Sequence, residues 1–535
     1  MGIVEKSNRP RPVFSIDPKA PSSAFTIKIF KKIEEISYAD WKSVYPDVLE
    51  GYYFFKTLDE SRLDQFSFYY LMVYEEGIPV GATTCFLMDY PIDTTLQGFW
   101  KNFLAPLKKR LPGLFSLKVL MCGQPIGQGR IGFAGDEQRI LSLLDTCLDE
   151  IAAKEKAVAI AFKEFGHTYR PIFKSMESFG YYRIDSIPNT VKSLPFKNFD
   201  DYLMSLSYAT RYDLKRKFKK VDGHVDIKLE ITDRLGASLD EAHALYMQMV
   251  NRHEMSLETM TKEFFAKISE NMPGETKYFL WRIDGKLVAF SFCLVSKDYF
   301  LDYYLGLDYS MAYDYHLYFV RFRDMMKWCL ANGMKTYEMG CTNYDPKKRL
   351  DFKFVPLDIY VKFTQPWANR FVKIACEMIK PQNYDPVLKK MVEKNPKQAG
   401  RLTLGVFCLI LVNEAVDAVA QILMKKGLPI LRIDVLNIPA AFGTAAQAAS
   451  NPLLWMGILI YASNFFVWIF VLARLDLSLA VPLTSINYII LPILTMIFLH
   501  EKISLLRWLG ILFIVLGVYL ISKTKSKSDE TLNPC

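Results

Sequence analysis

Long apolar stretches dominate the chain from Leu402 onward, whereas residues 1–370 mix apolar and polar positions as a globular protein does. Four of these stretches reach the roughly 20 residues that a helix needs to cross the hydrocarbon core of a membrane. They cover residues 402–424, 452–473, 477–499 and 504–522. We therefore predict an all-α bundle of four transmembrane helices at 402–522, after a linker at 371–401 and before a tail at 523–535.

Two segments of the first 370 residues have the pattern of a β-hairpin, in which apolar runs flank a short turn. Residues 73–88 carry Glu-Gly between the runs, and residues 278–295 carry Asp284-Gly285. Each hairpin is followed by the pattern of a strand, a helix and a further strand. The order predicts two tandem units of mixed α/β (α+β) fold at 26–196 and 197–370, after an N-terminal tail at 1–25.

The overall charge of the chain indicates which binding partners to expect. Lys and Arg number 66 against 57 Asp and Glu, which gives a net charge of +9, and the mean hydropathy is +0.09. The sequence has no zinc-ribbon, helix-turn-helix or RNA-recognition signature, so we expect no DNA partner and take an anionic membrane surface as the simplest partner.

The cysteines point to a reducing compartment. All nine are scattered without C-x-x-C spacing, which argues against a disulfide framework and predicts no metal site. The first residues lack the apolar region of a signal peptide, so the soluble part is expected to stay in the cytoplasm.

Charges flanking the apolar stretches predict the orientation. Basic residues precede the first span and follow the last, although others lie in the opposite loop. Those at the two ends are Lys394, Lys397, Arg401, Lys523, Lys525 and Lys527. The positive-inside rule then predicts a multi-pass protein of the inner cell membrane whose N-terminal domains and C-terminus are cytoplasmic.

Two acidic residues interrupt the first predicted span. Glu414 and Asp417 lie three positions apart and so share one face of a helix. An ionisable group at this depth is costly and commonly faces a polar cavity or transport pathway. The alternative is a pair of carboxylates hydrogen-bonded to neighbouring helices.

The run from Asp417 through Gln421 to Leu423-Met424-Lys425 resembles the first helix of small multidrug resistance transporters. Residues 475–522, with Pro482-Leu483, Ser485-Ile486-Asn487 and His500-Glu501, resemble the transporters that flip aminoarabinose-modified undecaprenyl phosphate. Both belong to the drug/metabolite transporter superfamily, as EamA proteins do. The resemblance implies transport residues at Glu414, Asp417, Gln421 and Asn487. Four helices are too few to enclose a pathway, so the resemblance also implies that the membrane domain forms a homo-oligomer or a heterodimer. The alternative is that the membrane domain has lost transport and serves only as an anchor.

The soluble half resembles the N-acetyltransferase (GNAT) superfamily, and its second unit resembles the acetyltransferase-like proteins grouped with Fem-type aminoacyltransferases. The matching pieces are Leu206 to Lys217, Gly285 to Ala289, Tyr304 to Asp308, Glu338-Met339-Gly340 and Lys353. The resemblance implies no tightly bound cofactor and a co-substrate that is acyl-CoA, acyl-carrier protein or aminoacyl-tRNA. It favours the second unit as the catalytic one.

Three residues near the expected central strand of the second unit are candidates for catalysis: Asp302, Tyr304 and His316. In this fold they would lie beside the donor carbonyl, where a polar group takes the proton of the attacking amine. Lys353 is a candidate for holding a donor phosphate or carboxylate. The alternatives are a helix N-terminal residue for His316 and a solvated charge for Lys353.

Two further segments are candidates for donor binding. Gln124, Gly127 and Gly129 fit the pyrophosphate loop of acetyltransferases, although a simple turn is the alternative because the helix begins late, near Asp136. Residues 211–220 hold six basic side chains, including Arg211 and Lys215. They are candidates to bind lipid head groups, a carrier protein or tRNA, or to form a solvated helix face.

Two functions follow as hypotheses. The first is a membrane-bound acyl- or aminoacyltransferase that acts on a lipid or lipid-linked amine or hydroxyl, with a flippase-like membrane domain. The second is a small-molecule or lipid transporter whose GNAT-like domain regulates or binds without turnover.

Overall fold

The computed structural model describes residues 14–16, 25–91, 116–252, 258–341, 343–369, 372, 385, 387–388, 404–427, 451–472, 483–500 and 502–523. The chain divides into two compact units, Met1–Val387 and Leu388–Cys535. Both predicted GNAT-like copies fall in the first unit and the predicted membrane bundle in the second.

The first unit is built on two β-sheets. Its strands are β1 Phe14–Ile16, β2 Phe25–Phe30, β3 Ser67–Glu75, β4 Ile78–Pro91, β5 Ser116–Cys122, β6 Ile131–Phe133, β7 Ala159–Gly166, β8 Tyr182–Asp185, β9 Asn189–Ser193, β10 Lys228–Thr232, β11 Thr276–Ile283, β12 Lys286–Val295, β13 Tyr299–Leu307, β14 Thr336–Glu338, β15 Lys353–Val355 and β16 Leu357–Phe363. Its helices are α1 Tyr38–Val44, α2 Tyr52–Glu60, α3 Glu137–Glu155, α4 Phe199–Ser205, α5 Tyr208–Asp222, α6 Leu239–Arg252, α7 Lys262–Asn271, α8 Leu317–Ala331, α9 Tyr344–Arg349 and α10 Pro366–Asn369.

The predicted hairpins are confirmed. Strands β3 and β4 pair antiparallel around Glu76-Gly77, and β11 and β12 pair around Asp284-Gly285. Both residues of each turn have positive φ, at 50° and 83° in the first and 48° and 81° in the second. Turns of this kind match the twist of the flanking strands, which is why glycine occupies the second position.

The two sheets exchange strands. The first runs β1-β2-β3-β4-β5-β7-β16-β8 with β6 beside β4, and the second runs β10-β11-β12-β13-β14-β9-β15. Strand β9 of the N-terminal half therefore pairs in the second sheet, and β16 from the C-terminal half pairs in the first. The expected domain boundary at 196/197 does not separate the two sheets, because β9 and β16 each pair in the sheet that the other half of the unit mainly forms.

Helices cover the sheets on both faces, so most central strand positions are apolar and buried. In α3, the side chain of Asp136 caps the first turn by accepting hydrogen bonds from the N–H groups of Gln138 and Arg139. Its buried side chains, such as Leu144 and Leu148, pack with Leu120 and Ile160 of the first sheet. In α8, Phe322 and Met325 pack in the same way with Phe300 of the second sheet.

The second unit is helical in its described part, with α11 Leu404–Gly427, α12 Pro452–Leu472, α13 Asn487–Leu499 and α14 Leu505–Lys523. None of the helices in the described part of the chain combines the length and the apolar character that crossing a bilayer requires. The expected set of four spans stays a prediction, and part of the third span, at 477–482, lies outside the described residues.

Candidate active site

A gap opens in the second sheet where two parallel strands diverge. Strand β14 pairs with β13 only from Tyr299↔Thr336 to Leu301↔Glu338, whereas β13 continues to Leu307. Beyond Glu338 the chain stays paired with β9, since Met339 N–H donates to the carbonyl of Thr190. The half of β13 that follows Leu301 is thus left open on its β14 side.

A β-bulge in β13 lies at this opening. Phe292 pairs with Tyr304 and Cys293 with Asp302, so Tyr303 is an extra residue on the bulged strand. Bulges re-aim side chains and are common next to active sites. Here the bulge sends Tyr303 and Tyr304 to the same face of the sheet, where both pack on the cluster that contains Phe264 and Phe292.

Asp302 lies on the opposite face, which corrects its expected place beside the donor carbonyl. Its carboxylate accepts hydrogen bonds from Arg321 Nη1 at 2.7 and 2.8 Å, and Tyr337 donates to it at 3.3 Å. Both members of this ion pair are buried among the side chains between the sheet and α8. Its charge is therefore neutralised inside the core rather than presented to a substrate.

Tyr304 does lie at the opening, together with residues that were not singled out. Its hydroxyl donates to Glu258 Oε1 at 3.3 Å. Burial raises the pKa of Glu258 to about 7, against a smaller opposing effect of Lys163. Burial, and then the charges of Glu50 and Glu258, hold the pKa of Tyr303 well above its usual range, so its hydroxyl stays protonated.

A second carboxyl stands at the end of β14. Glu338 accepts a hydrogen bond from Asn189 Nδ2 at 2.6 Å and another from the Tyr299 hydroxyl. Burial raises the pKa of Glu338 to about 7, and the nearby charge of Glu50 acts in the same direction. The site therefore offers two carboxyl groups that exchange protons near neutral pH.

The first half of the unit supplies one wall of this site. Gly127 has φ +80°, and a Cβ there would lie 2.9 Å from Glu50 Oε1 and 3.1 Å from the Tyr303 hydroxyl oxygen. Arg130 Nη2 lies 3.9 Å from Glu50 Oε2. Only glycine allows this close approach of the loop.

Gln124, Gly127 and Gly129 thus lie in the site, where the sequence predicts a pyrophosphate loop or a simple turn. Its N–H groups at Gly123 and Gly129 donate to the carbonyls of Thr84 and Glu164. These two N–H groups are committed to the protein, and the pyrophosphate loop and the simple turn both stay predictions.

Several polar atoms at this place are buried without a hydrogen-bond partner among the described residues. They are the Tyr303 hydroxyl oxygen, Gln124 Oε1 and Arg130 Nε. Leaving such groups unsatisfied is costly. A polar ligand bound there would satisfy them.

A second bulge contributes to the same region. Between the pairs Asp358↔Phe165 and Tyr360↔Phe162, strand β7 has two residues, Lys163 and Glu164, opposite one of β16. Glu164 has φ +57°, a strained conformation for a side chain of this kind.

A buried lysine borders Glu338. Lys347 donates to the carbonyls of Met339, Gly340 and Cys341 at 2.8 to 3.2 Å. Burial lowers the pKa of Lys347 to about 8.

The remaining candidates of the soluble half lie elsewhere. His316 precedes α8, where burial and then Lys217 and Lys220 of α5 lower its pKa. Lys353 is exposed on β15, and Lys215 is exposed on α5. Arg211 donates to the carbonyl of Met204. Asp302, Tyr304, His316 and Lys353 therefore do not converge on one cleft.

The site residues that sequence reasoning missed are Glu50, Arg130, Glu258, Tyr303 and Glu338. Glu338 could have been identified from the sequence, because a carboxylate inside the short apolar strand KTYEMG must be buried or functional. Glu50, Arg130 and Glu258 lie in connecting segments with no pattern that marks them.

In the second unit, the structure brings the predicted transport residues together. Asp417 Oδ2 accepts hydrogen bonds from Gln421 Nε2 at 2.7 Å and from Asn487 Nδ2 at 3.2 Å, which links α11 to α13. Glu414 is buried and accepts from Asn413 Nδ2 at 3.2 Å. The cluster agrees with both alternatives drawn from the sequence, a transport site and a polar helix contact.

Comparison with known proteins assigns both parts. Residues 209–353 match the family model of the acetyltransferase (GNAT) domain, and residues 435–523 match that of the EamA-like transporter family. The chain joins a GNAT domain to an EamA-like domain. The resemblances drawn from the sequence to the GNAT superfamily and to EamA-like transporters are confirmed at the level of these family models.

Individual relatives cover only parts of the chain. A putative 8-amino-7-oxononanoate synthase 2 of Mycobacterium tuberculosis is 22% identical over 331 residues, which are 56% of this chain and 40% of that protein. A probable 4-amino-4-deoxy-L-arabinose-phosphoundecaprenol flippase subunit ArnE of Aeromonas salmonicida is 37% identical over 75 residues, 14% of this chain and 66% of that protein. The chain thus spans less than two thirds of the length of the first of these relatives. The crystal structure of FemX aligns with a TM-score of 0.40 and 15% identity over 60% of this chain and 94% of that chain.

Proposed function

We propose that the chain is a membrane-bound acyl- or aminoacyltransferase that modifies an amine or hydroxyl on a lipid or lipid-linked acceptor. The observation that carries this proposal is the Glu258 carboxyl, whose charge acts on the buried Tyr303 hydroxyl at the strand gap of the GNAT domain. A carboxyl whose pKa lies near 7 can accept a proton at physiological pH and be regenerated there.

The proposed reaction uses Glu258 as the base and Tyr303 as a hydrogen-bond donor, while Glu338 positions the end of β14. The acceptor amine or hydroxyl attacks the donor carbonyl, the new C–N or C–O bond forms, and the thioester or ester bond of the donor breaks. Glu258 takes the proton that the acceptor loses. The Tyr303 hydroxyl donates a hydrogen bond to the oxyanion and keeps its own proton. The departing thiolate or alkoxide takes up the proton that Glu258 has accepted, which returns Glu258 to its carboxylate form.

Glu338 has a positioning role in this scheme. Both of its oxygens accept hydrogen bonds, from Asn189 and from Tyr299, so it fixes the end of β14 beside the gap. We assign Glu258 as the base, because its carboxyl acts on the Tyr303 hydroxyl and lies 3.3 Å from the Tyr304 hydroxyl that donates to it.

The EamA-like domain supports a lipid-linked acceptor and an inner-membrane location with the soluble part in the cytoplasm. The name of the ArnE relative describes a flippase subunit for a phosphoundecaprenol-linked sugar. Joining a transferase to such a domain raises the local concentration of a membrane substrate. The donor is acyl-CoA, acyl-carrier protein or aminoacyl-tRNA, of which acyl-CoA is the usual co-substrate of GNAT domains.

Comparative lipid mass spectrometry tests the proposal. Cells that lack the gene should lose a lipid species, and complementation with Glu258→Gln or Tyr303→Phe should restore about a hundredth of it or less, as expected for loss of the general base or of the oxyanion donor. Glu270→Gln and Tyr53→Phe are matched controls, since both side chains are exposed on helices of the same unit. The mass of the species identifies the transferred group.

A second candidate is a transporter whose GNAT domain binds a ligand without turnover. The observation behind this candidate is the contact of Asp417 with Gln421 and Asn487, which a transport site would need. An unchanged lipidome in the deletion strain, together with a transport defect that Asp417→Asn reproduces and Glu258→Gln does not, would replace the first candidate by the second.

A further inference from the structure

The exposed side of α5 carries a surface that the proposed reaction does not use. Its buried side chains, Leu214 and Phe218, face the core. The opposite side presents Tyr208 and Tyr212, which are 73% and 61% exposed, and Met204 just before the helix is 65% exposed. Large apolar side chains exposed side by side call for a partner.

Basic side chains continue the same side of the helix. Tyr208, Tyr212, Lys215 and Lys219 follow one another at helical spacing, so they form one stripe. The two tyrosine rings stack at 6.2 Å, and the Arg211 guanidinium lies 5.8 Å from the Tyr208 ring centre. Neither Lys215 nor Lys219 forms an ion pair with a residue in the described part of the chain.

The stripe borders a groove of about 630 Å³ between α4, α5 and α8. Four lysines line it, against two aspartates of which Asp222 is already paired with Arg323. These lysines are Lys197, Lys215, Lys219 and Lys327. The groove is therefore positively charged and large enough for a phosphate-bearing head group.

We propose that this face, defined by Met204, Tyr208, Tyr212 and the four groove lysines, docks on the anionic surface of a phospholipid bilayer. Tyrosine and methionine would enter the head-group region, where amphipathic rings are favourable, while the lysines neutralise lipid phosphates. The EamA-like domain in the same chain favours this partner over a carrier protein or tRNA, because it keeps the surface within reach of a membrane.

Lysine footprinting on the full chain tests the docking. The protein is reconstituted in nanodiscs of phosphatidylcholine with or without phosphatidylglycerol, and a water-soluble acylating reagent labels accessible lysines, read by peptide mass spectrometry. Lys215 and Lys219 should be labelled several-fold less in the anionic discs, and high salt should restore their labelling. Lys262 and Lys267 of α7, exposed and remote in the fold, are internal controls.

A charge variant strengthens the test. Lys215→Gln with Lys219→Gln should weaken docking roughly fivefold per charge, read as recovered labelling of Lys197 and Lys327. The matched variant Lys262→Gln with Lys267→Gln should change nothing. Equal labelling in both kinds of disc would overturn the proposal, as would shielding of these lysines only by added acyl-carrier protein or tRNA in detergent. Neither result bears on Glu258, so failure here leaves the proposed function standing.

Discussion

Glu338 shows how one buried carboxyl couples the site to stability. Its pKa is about 7 in the folded protein against an ordinary value of 4.5. Between these values the native state holds a proton that the unfolded chain releases, so the free energy of unfolding falls as pH rises through this window. The ionised form is the less stable one, and it predominates only above about pH 7.

Replacing Glu338 by Gln should remove this pH dependence. Glutamine keeps the shape and can still hydrogen-bond to Asn189 and Tyr299, but it does not ionise. We expect the variant to match the original protein near pH 4.5 and to exceed its stability at pH 8 by roughly 1–3 kcal/mol, at about 1.4 kcal/mol per unit of pKa shift. Thermal melting followed by intrinsic fluorescence at both pH values checks this, with the exposed Glu270→Gln as control. Parallel pH profiles for the Glu338→Gln variant and the original protein would contradict the assigned protonation.

The face of the sheet to which each side chain of β13 points could not be predicted from the sequence. Strict alternation puts Asp302 and Tyr304 on one face of a strand, and both were candidates for the same site. The bulge at Tyr303 separates them, sending Asp302 to Arg321 and Tyr304 to Glu258. The sequence DYYLG carries no local sign of the extra residue, because the bulge arises from pairing with β12.

At the scale of elements, buried ion pairs fix the exchanged strand β16. Asp358, 1% exposed, accepts hydrogen bonds from Arg170 Nε at 2.6 Å and from Arg183 Nη1 at 2.6 Å. Further along the strand, Lys362 donates to Asp145 at 2.6 Å. These contacts join β16 to segments more than 170 positions earlier in the chain, so they hold the two halves in one unit.

Asp358→Asn should therefore loosen the exchange. It removes the charge that two arginines share, and because both guanidinium groups remain partly hydrated we expect a loss of about 2 kcal/mol rather than the larger cost of a fully buried pair. Hydrogen exchange of residues 357–363 should accelerate. Asp185→Asn is the matched control, since Asp185 binds the same Arg183 but is 56% exposed and should cost less than about 1 kcal/mol. Equal effects of the two variants would show that β16 is not held by Asp358.

The strands and helices could be predicted from the sequence more readily than the neighbours with which the strands pair. Period-two patterns and the Asp-Gly turn locate the hairpin of the second sheet, and the Asp136 cap marks the start of α3. The pairing of β9 and β16 was not predictable, since NTVKS and LDIYVKF fit either sheet equally well. Contacts between residues far apart in sequence decide which sheet each strand joins.

At the scale of the whole molecule, the chain combines a GNAT domain with an EamA-like domain, and the proposed function gives each a separate step. Chemistry at Glu258 precedes any movement of the product, so the steps should be separable by mutation. Asp417 is the best position for the second step, because its carboxylate accepts hydrogen bonds from both Gln421 and Asn487.

Asp417→Asn should leave the lipid modification intact and change where the product accumulates. Asparagine keeps the size of the side chain but has no charge and only one acceptor oxygen. Gln421 and Asn487 therefore no longer share a carboxylate as their hydrogen-bond acceptor. We expect total modified lipid close to that of the original protein, with the fraction reached by a membrane-impermeant reagent from outside the cell falling several-fold. The control is Ser463→Ala, an exposed position on α12 whose hydroxyl bonds only within its own helix among the described residues. If Asp417→Asn instead abolishes the modified lipid while the protein is still present in the membrane, the carboxylate serves the transferase. If neither quantity changes, the EamA-like domain acts as an anchor, and the tether alone accounts for its fusion to the GNAT domain.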